Sequence, residues 1–305
     1  MKDVLSVVEE AFRWITEGKV LQLKNTIQCP NEERHSLTAF PCYVKRKVSG
    51  IKWLGYSKSN REKGLPTITA ILVLNNDETN APISIMDASR ITAMRTAAHA
   101  GVAAKYLARK NSTIVSIIGC GVQGRTHVEA MNELFKIREV KAYNRSSEGA
   151  KKFVQDIETR LNLEVTVVDN PSNAVKDTDI VCMTTSASKP LVMSRDIEPG
   201  CFIAGTALFH DLDPNLSKEV DKWVLGNIDL DFPDLAKSQS RIELSREDVY
   251  GELGEIITGT ILGRKTETER ILFSCGGMGV LDVSAGLLAY NKAKEKNVGL
   301  KVDLF

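Results

Sequence analysis

The sequence predicts an α/β protein in which a doubly wound parallel sheet follows a separate α+β domain. Three observations support this fold class. From about residue 113 onward, short apolar β-branched runs alternate with helical patterns, as in a parallel sheet with crossover helices. The first hundred residues instead contain several short alternating runs separated by turns, which predict strands of a mixed sheet. A glycine-rich turn joins the first buried strand of the later part to a helix.

Length and composition allow two domains with separate cores. The chain has 305 residues, 43% hydrophobic and 26% charged, which suits a globular protein of this size. Its 40 basic and 39 acidic residues nearly cancel, so we expect a small-molecule partner and neither nucleic acid nor a membrane. The first ten residues predict an amphipathic helix and not a signal peptide, and no apolar run reaches membrane-span length, which indicates a cytoplasmic protein.

Cysteines and histidines indicate neither a disulfide framework nor a metal site. The six cysteines are scattered without a C-x-x-C pair, so we expect them to be reduced and mostly buried. None of the four histidines is paired at ligand spacing, and we predict no metal.

The first part of the chain predicts a helix, a group of strands and a second helix. The opening helix covers about residues 3–18 and ends at Gly18. Asp87 or Ser89 can cap a long helix that runs to about Arg109. The strands between these helices are predicted over residues 21–27, 36–44, 48–56, 67–75 and 83–86.

The glycine turn follows a predicted strand over residues 113–118 and precedes a helix that continues to about Leu134. Its spacing is G-x-G-x-x-G. Gly119 suits the tight turn, Gly121 lets the backbone approach a pyrophosphate, and Gly124 allows the helix to pack closely on the strand. The free N–H groups of the helix then face the phosphates. We interpret the segment as a dinucleotide site, the alternative being a plain strand-to-helix turn.

The remaining elements complete a Rossmann domain. Residues 229–241 are polar and give no clear pattern. A final helix is predicted over residues 282–295. The other predicted strands are 139–143, 164–168, 179–183, 202–204, 222–225 and 271–274, and the other predicted helices are 148–160, 172–176 and 252–258.

The end of the second strand of this domain bears on the choice of nucleotide. An acidic residue that binds the ribose 2′-OH is usual there, but the sequence has Asn144, Arg145 and Ser146. An amide, a guanidinium and a hydroxyl can all bond to a 2′-phosphate, which a carboxylate would repel. The sequence therefore favours NADP(H). NAD(H) remains possible if Asn144 binds a plain ribose and Arg145 stacks on the adenine.

Two motifs carry a resemblance to a known family. With Arg95-Thr96-Ala97-Ala98 set beside Gly119-Cys120-Gly121-Val122-Gln123, the chain resembles the ornithine cyclodeaminase/μ-crystallin family over nearly its whole length. Within that family it is most similar to the amino acid dehydrogenases, of the archaeal alanine dehydrogenase type and of the type acting on N-(2-amino-2-carboxyethyl)-L-glutamate. Supporting stretches are Gly50–Trp53, Gly64–Thr67, Leu74–Thr79, Glu252–Glu255 and Gly277–Gly279 followed by Asp282.

The resemblance implies a two-domain homodimer. Residues 1–111 together with 281–305 would form the substrate-binding and dimerisation domain, and residues 112–280 the dinucleotide-binding domain. It also implies that the chain starts after the first strand of its relatives.

The resemblance further implies the residues of the site. Lys24, Lys52 and Arg95 would hold an amino-acid carboxylate, with Lys52 and Arg95 as the catalytic pair. An arginine offers a bidentate fork to the carboxylate, and a lysine can donate a proton at the reacting nitrogen. Without the resemblance, a lysine between Ile51 and Trp53 would more often be an edge residue facing solvent. Further substrate contacts would be Thr67, Gly277 and Met278, and further cofactor contacts Thr96, Val122, Gln123, Thr184, Thr185 and Ser186.

One departure from the family pattern bears on the reaction. Cyclodeaminases carry an aspartate in the loop after the strand 202–204, where this sequence has Gly205 or Thr206. Asp211 aligns with a later, structural acidic residue, and His210 could reach the pocket only if the loop folds inward. The sequence therefore predicts an amino acid dehydrogenase or imine reductase. The alternatives are an ornithine or lysine cyclodeaminase with tightly bound NAD and a non-catalytic NADPH-dependent binder.

Overall fold

The computed structural model describes residues 1–29, 35–206, 210–238 and 243–303. By their contacts the residues form two compact units. One comprises Met1–Leu5 and Thr96–Gly276, and the other Ser6–Arg95 and Gly277–Phe305. Two of the three boundaries fall inside helices, α1 (Lys2–Thr16) and α2 (Ser89–Leu107), and the third falls in the loop at Gly276. The predicted α/β fold with two sheets is confirmed.

The unit formed by Ser6–Arg95 and Gly277–Phe305 contains a six-stranded sheet. All its pairings are antiparallel, so the mixed sheet expected from the sequence is wrong in this respect. The strand order is β1-β3-β4-β5-β6, and β2 also pairs with β3. The strands are β1 (Val20–Gln22), β2 (Asn25–Gln28), β3 (His35–Val44), β4 (Val48–Ser57), β5 (Ile68–Asn75) and β6 (Pro82–Asp87).

The last helix of the chain covers one face of this sheet. Because paired residues of neighbouring strands share a face, the register places Phe40, Lys52 and Leu72 side by side. A side chain at Gly286 of that helix would come within 2.1 Å of Leu72, so a glycine is needed for this close packing. The opposite face exposes apolar side chains, namely Leu21, Tyr43, Trp53, Ile71 and Ile85.

The other unit is built on eight parallel strands in the order β13-β12-β14-β11-β10-β7-β8-β9. The order of the strands reverses at β7, because β8 and β9 follow on one side of it and β10 and the later strands lie on the other. In such sheets ligands bind outside the carboxyl ends of the strands at this switch point. The strands are β7 (Ile114–Ile118), β8 (Glu139–Tyr143), β9 (Glu164–Val167), β10 (Ile180–Met183), β11 (Phe202–Gly205), β12 (Lys222–Leu225), β13 (Gly251–Glu252) and β14 (Ile271–Ser274).

Helices connect many of these strands, and three helices of the chain differ from expectation, of which α6 (Leu216–Glu219) was not predicted. Residues 229–238 of the polar stretch belong to α7, which begins where Glu252 Oε1 accepts a hydrogen bond from Ile228 N at 2.6 Å, and residues 239–241 lie outside the described residues. The last helix begins at Gly279, three residues earlier than predicted. The helices after α2 are α3 (Val122–Leu134), α4 (Ser147–Leu161), α5 (Pro171–Val175), α6 (Leu216–Glu219), α7 (Ile228–Ser238), α8 (Leu253–Thr258) and α9 (Gly279–Glu295).

Five of the cysteines are buried and Cys29 is half-buried, and no disulfide occurs in the described part of the chain. Within those same residues, no helix combines the length and apolar character of a membrane span.

Candidate active site

We call the unit of Ser6–Arg95 and Gly277–Phe305 the antiparallel unit, and that of Met1–Leu5 and Thr96–Gly276 the parallel unit, after their sheets. The antiparallel unit contains a buried cluster of three charged side chains, Lys52, Arg95 and Asp282. Lys52 Nζ lies 2.7 Å from Asp282 Oδ2, and Arg95 Nε donates a hydrogen bond to Asp282 Oδ1 at 2.9 Å. The exposed fractions of the three side chains are 0, 5 and 0%, respectively. Two cations therefore share one carboxylate inside the protein, which leaves an excess positive charge. Since an unbalanced buried charge is costly, the cluster is suited to receive an anionic group.

The Lys52 side chain can gain or lose a proton near neutral pH. Burial lowers the pKa of Lys52 to about 7, while Asp282 raises it and Arg95 and Lys24 lower it further. Its ammonium also lies 4.4 Å from the centre of the Phe40 ring, where a cation is stabilised. An ammonium carries three N–H donors, and Asp282 is the one ion-pair partner found for Lys52 among the described residues. The side chain therefore keeps donor capacity for a bound ligand.

Arg95 presents the free end of its guanidinium to the start of α9. Its Nε is bonded to Asp282, and no hydrogen bond of the two Nη atoms is found among the described residues. A side chain at Gly277 would lie 2.9 Å from the Phe40 ring and 3.7 Å from Arg95 Nη2, so Gly277 keeps this space open. Met278 is the N-cap of α9 and provides no side-chain hydrogen bond. The terminal nitrogens of Arg95 are thus positioned to bind a carboxylate as a fork.

Two further predicted substrate residues belong to the same unit. Lys24 is half-buried between β1 and β2, and its Nζ lies 6.0 Å from the Phe40 ring centre. Lys24 and Lys52 therefore approach the same aromatic ring. Thr67 directly precedes β5, and its carbonyl oxygen accepts a hydrogen bond from Ser57 N. Lys24 joins the charged cluster, whereas Thr67 bonds to Ser57 through its backbone carbonyl.

The glycine turn of the parallel unit has the form that the motif predicts. Gly119 has a φ of +110°, which side chains rarely adopt, and a side chain there would come within 2.9 Å of Thr184 O. A side chain at Gly124 would come within 2.4 Å of Gly119 O. By contrast, a side chain at Gly121 would meet nothing within 4 Å. Gly119 and Gly124 are required by the fold itself, and Gly121 borders open space.

The helix that follows this turn begins without a side-chain cap. Gly121 is the N-cap of α3, and no side chain accepts from its first turn. Val122 is largely exposed at this position, and Gln123 Oε1 is buried without a hydrogen-bond partner among the described residues. The uncapped N–H groups and the open space at Gly121 fit the pyrophosphate of a dinucleotide.

Asn144, Arg145 and Ser146 follow β8 beside the turn, but they differ in what they can offer a nucleotide. Asn144 Oδ1 accepts from Cys120 N, and its Nδ2 donates to Ser146 O. Ser146 Oγ accepts from Gly149 N as the cap of α4. Arg145 is exposed, with no hydrogen bond or ion pair among the described residues. The guanidinium of Arg145 is therefore the group most available to a 2′-substituent.

The residues after β10 lie at the other side of the switch point. Thr184 Oγ1 donates to Gly119 O at 2.7 Å, which ties this segment to the glycine turn. Thr185 Oγ1 donates to Asp211 Oδ2 at 2.8 Å, and Ser186 is exposed. Thr96, the remaining predicted cofactor residue, is buried on α2. The parallel unit thus brings the glycine turn, residues 144–146 and residues 184–186 together at the carboxyl ends of β7, β8 and β10, and no contact joins Thr96 to them among the described residues.

The loop after β11 lacks a carboxylate at its start. Thr206 Oγ1 lies 3.2 Å from His127 Nε2, and burial lowers the pKa of His127 to about 4, so this imidazole is neutral at pH 7. Asp211 is buried against Thr185, and burial raises its pKa to about 6. His210 is half-buried. Residues 207–209 of this loop lie outside the described residues.

Neither the motifs nor the family resemblance gives Asp282 a role. It lies 187 positions from Arg95 along the chain, so no local pattern connects the two. A signal was nevertheless present, because Asp282 is the one charged residue in the apolar stretch from Val280 to Ala285. Charged residues are rarely fully buried unless they are paired.

Comparison with known proteins gives the same family as the motifs. The family model of the ornithine cyclodeaminase/mu-crystallin family matches residues 1–297. The alanine dehydrogenase of Archaeoglobus fulgidus is 34% identical over an alignment that covers 100% of this chain and 94% of the relative.

Two solved structures share the fold over almost the whole chain. The Thermococcus litoralis Δ1-pyrroline-2-carboxylate reductase in complex with NADH and L-proline has a TM-score of 0.93 and 32% identity, and covers 99% of this chain and 96% of its own. An archaeal alanine dehydrogenase dimer with bound NAD has a TM-score of 0.90 and 34% identity, and covers 100% and 95%. The family predicted from the sequence is confirmed.

Proposed function

The chain belongs to the ornithine cyclodeaminase/mu-crystallin family, and we propose that it is an NAD(P)H-dependent oxidoreductase acting on the Cα–N bond of a small amino or imino acid. The observation that supports this proposal most directly is the buried cluster of Lys52, Arg95 and Asp282. Its excess positive charge suits an α-carboxylate, and Lys52 supplies a proton-exchanging group beside it. The solved relatives that bind NADH with L-proline or NAD support the nicotinamide.

In the proposed reaction, this chain's residues bind the acid and move one proton. A bound nicotinamide supplies or accepts the hydride at Cα. Arg95 holds the carboxylate through its two Nη atoms, with Lys24 close by. In the reductive direction, Lys52 gives a proton from Nζ to the imine nitrogen as the C=N π bond becomes a C–H and an N–H bond. In the oxidative direction the neutral Lys52 amine takes that proton back.

A substrate panel tests the function. Purified protein is incubated with NADPH or NADH and three groups of compounds: 2-oxo acids with ammonia, cyclic ketimines and diamino acids. Cofactor oxidation and ammonia are measured together. Steady cofactor oxidation with an oxo acid or a ketimine supports the proposal. Ammonia release from a diamino acid without net cofactor change would indicate a cyclodeaminase instead. Saturable binding with no turnover would indicate a non-catalytic binder.

We further propose that the cofactor is NADP(H), with Arg145 as the residue that selects it. Because Asn144 and Ser146 already bond to the protein, Arg145 is the residue to change. Arg145→Gln is expected to weaken NADPH binding by about tenfold, the size of one charge-assisted hydrogen bond, and to leave NADH binding nearly unchanged. Titration of both cofactors by fluorescence measures this, with the exposed Lys151→Gln as the control. Wild-type protein that binds NADH about tenfold tighter than NADPH would contradict the proposal.

We also propose a homodimer formed through the exposed face of the antiparallel sheet. Trp53 pairs with Ile71 across β4 and β5, and both are exposed, at 39 and 47%. With Leu21, Tyr43 and Ile85 on the same face, the apolar surface is larger than single exposed residues would explain. The archaeal alanine dehydrogenase, a dimer, supports the same assembly.

Changing this face tests the dimer. Wild-type protein is expected to have twice the 33.6 kDa chain mass by light scattering at micromolar concentration. Trp53→Asp is expected to shift the population to monomer, because a carboxylate would be buried without a partner. Leu262→Asp is the control, since Leu262 is exposed in the parallel unit. A wild-type monomer, or a dimer that survives Trp53→Asp, would disprove this interface.

A further inference from the structure

Asp282 belongs to a stretch that supports the family resemblance, but the resemblance gives it no role. It lies in the buried N-terminal half of α9, and its two carboxylate oxygens contact different cations, Oδ2 with Lys52 and Oδ1 with Arg95. Lys52 comes from β4 and Arg95 from α2. One fully buried carboxylate therefore connects the two proposed catalytic side chains, which lie on different elements.

We propose that Asp282 is a positioning residue that fixes Lys52 and Arg95 relative to each other and keeps Lys52 protonated for transfer to the substrate nitrogen. This proposal rests on the proposed function, since it concerns the same site. It extends that function by assigning the protonation of Lys52 to one residue. Asp282 itself touches neither substrate nor cofactor in this scheme.

The charges around Lys52 explain why a single carboxylate has this effect. Arg95 from α2 and Lys24 from the β1–β2 connection both disfavour the ammonium, as does burial, while Asp282 from α9 favours it. The Phe40 ring on β3 adds a smaller attraction. Cys42, also on β3, lies near Asp282, and its pKa is raised to about 12, so it stays a neutral thiol. Asp282 is thus the one negative charge that faces Lys52 among the described residues.

The expected effect of removing this charge has a definite sign. Asp282→Asn leaves Lys52 with two cations and no anion, so the Lys52 pKa falls, by about one unit or more. Imine reduction needs protonated Lys52 and is lost as pH rises through that pKa, so the variant loses activity at a lower pH than the wild type. Amine oxidation needs neutral Lys52 and rises through the same pKa, so the variant reaches its plateau at a lower pH. A purely structural defect would lower both rates without moving either profile.

A pH profile of kcat in both directions tests this, for wild type, Asp282→Asn and Asp282→Glu. We expect the kcat profiles of Asp282→Asn for reduction and for oxidation to move to lower pH by about one unit or more. Asp282→Glu keeps the charge, and we expect its profiles to lie close to those of the wild type. Unmoved profiles in Asp282→Asn would overturn the proposal. The side-chain resonance of Lys52 in lysine-labelled protein, assigned with Lys52→Met, gives the same titration without turnover. A failure of the proposed function would leave that titration intact, so the two failures are distinguishable.

A double-mutant cycle covers the case in which Asp282→Asn alone does not fold. In the Lys52→Met background, Asp282→Asn no longer leaves the Lys52 ammonium unpaired. Because the buried Arg95 still loses its partner there, we expect Asp282→Asn to lower stability and residual turnover in this background too, but by less than it does beside Lys52. An equal cost in both backgrounds, measured by urea unfolding and by kcat, would show that Asp282 acts independently of Lys52 and would refute the proposal.

Discussion

Arg95→Ala is expected to raise the KM for the amino or imino acid by about 100-fold or more, because a truncated partner leaves a substrate carboxylate unpaired in a buried site. Asp282 would still be paired with Lys52 at 2.7 Å, so the rest of the cluster is retained. The affinity for the nicotinamide cofactor is expected to stay near the wild-type value, since the glycine turn belongs to the other unit. Steady-state kinetics with the substrate found in the panel, and cofactor titration, measure the two effects.

Two variants control this experiment. Arg95→Lys keeps the charge but loses the planar fork, and we expect a KM between those of wild type and Arg95→Ala. Arg90→Ala removes an exposed arginine from the same helix, and we expect wild-type kinetics. If Arg95→Ala binds substrate as tightly as Arg90→Ala does, the carboxylate is held elsewhere, and Lys24 is the next residue to examine.

Lys52→Met is expected to lower kcat by about 100-fold or more, the usual contribution of a positioned general acid or base, with a smaller change in KM. Methionine keeps the unbranched stem of a fully buried side chain and removes the charge. The interaction of Lys52 strengthens as the substrate nitrogen gains or loses its proton, so its loss falls on the transition state. The change of kcat with pH near 7 that the titration of Lys52 is expected to cause should disappear together with the turnover.

The matched control for this change is Lys45→Met, which removes an exposed lysine close to the end of β3. We expect its kcat and pH profile to be those of wild type. Turnover in Lys52→Met that equals that of Lys45→Met would make Lys52 a structural residue. The proton would then have to come from another group, with His210 or a bound water as candidates.

The sequence by itself was sufficient for the fold class, the family and the cofactor motif. These depend on local information: β-branched runs predict buried strands, helical periodicity predicts the crossover helices, and Gly119, Gly121 and Gly124 mark the turn between them. The predicted strands and helices of the parallel sheet are found with small shifts in their ends. Residues 229–241 gave no clear pattern because Pro233, which lacks a backbone N–H, lies inside α7. The start of that helix bonds both to the neighbouring Asn227 and to Glu252, more than twenty residues away.

Only the tertiary structure decided how the charged residues combine. Local patterns placed Lys52 on a strand and Arg95 on a helix, and the resemblance gave them roles, but neither assigned them a shared partner. Asp282 meets both because α9 returns to the sheet formed much earlier in the chain. Likewise, Asn144 and Arg145 are equivalent candidates by sequence, yet folding bonds Asn144 to Cys120 N and leaves Arg145 exposed. Contacts between distant residues set burial and charge pairing, and these quantities, more than residue type, determine what each side chain can do.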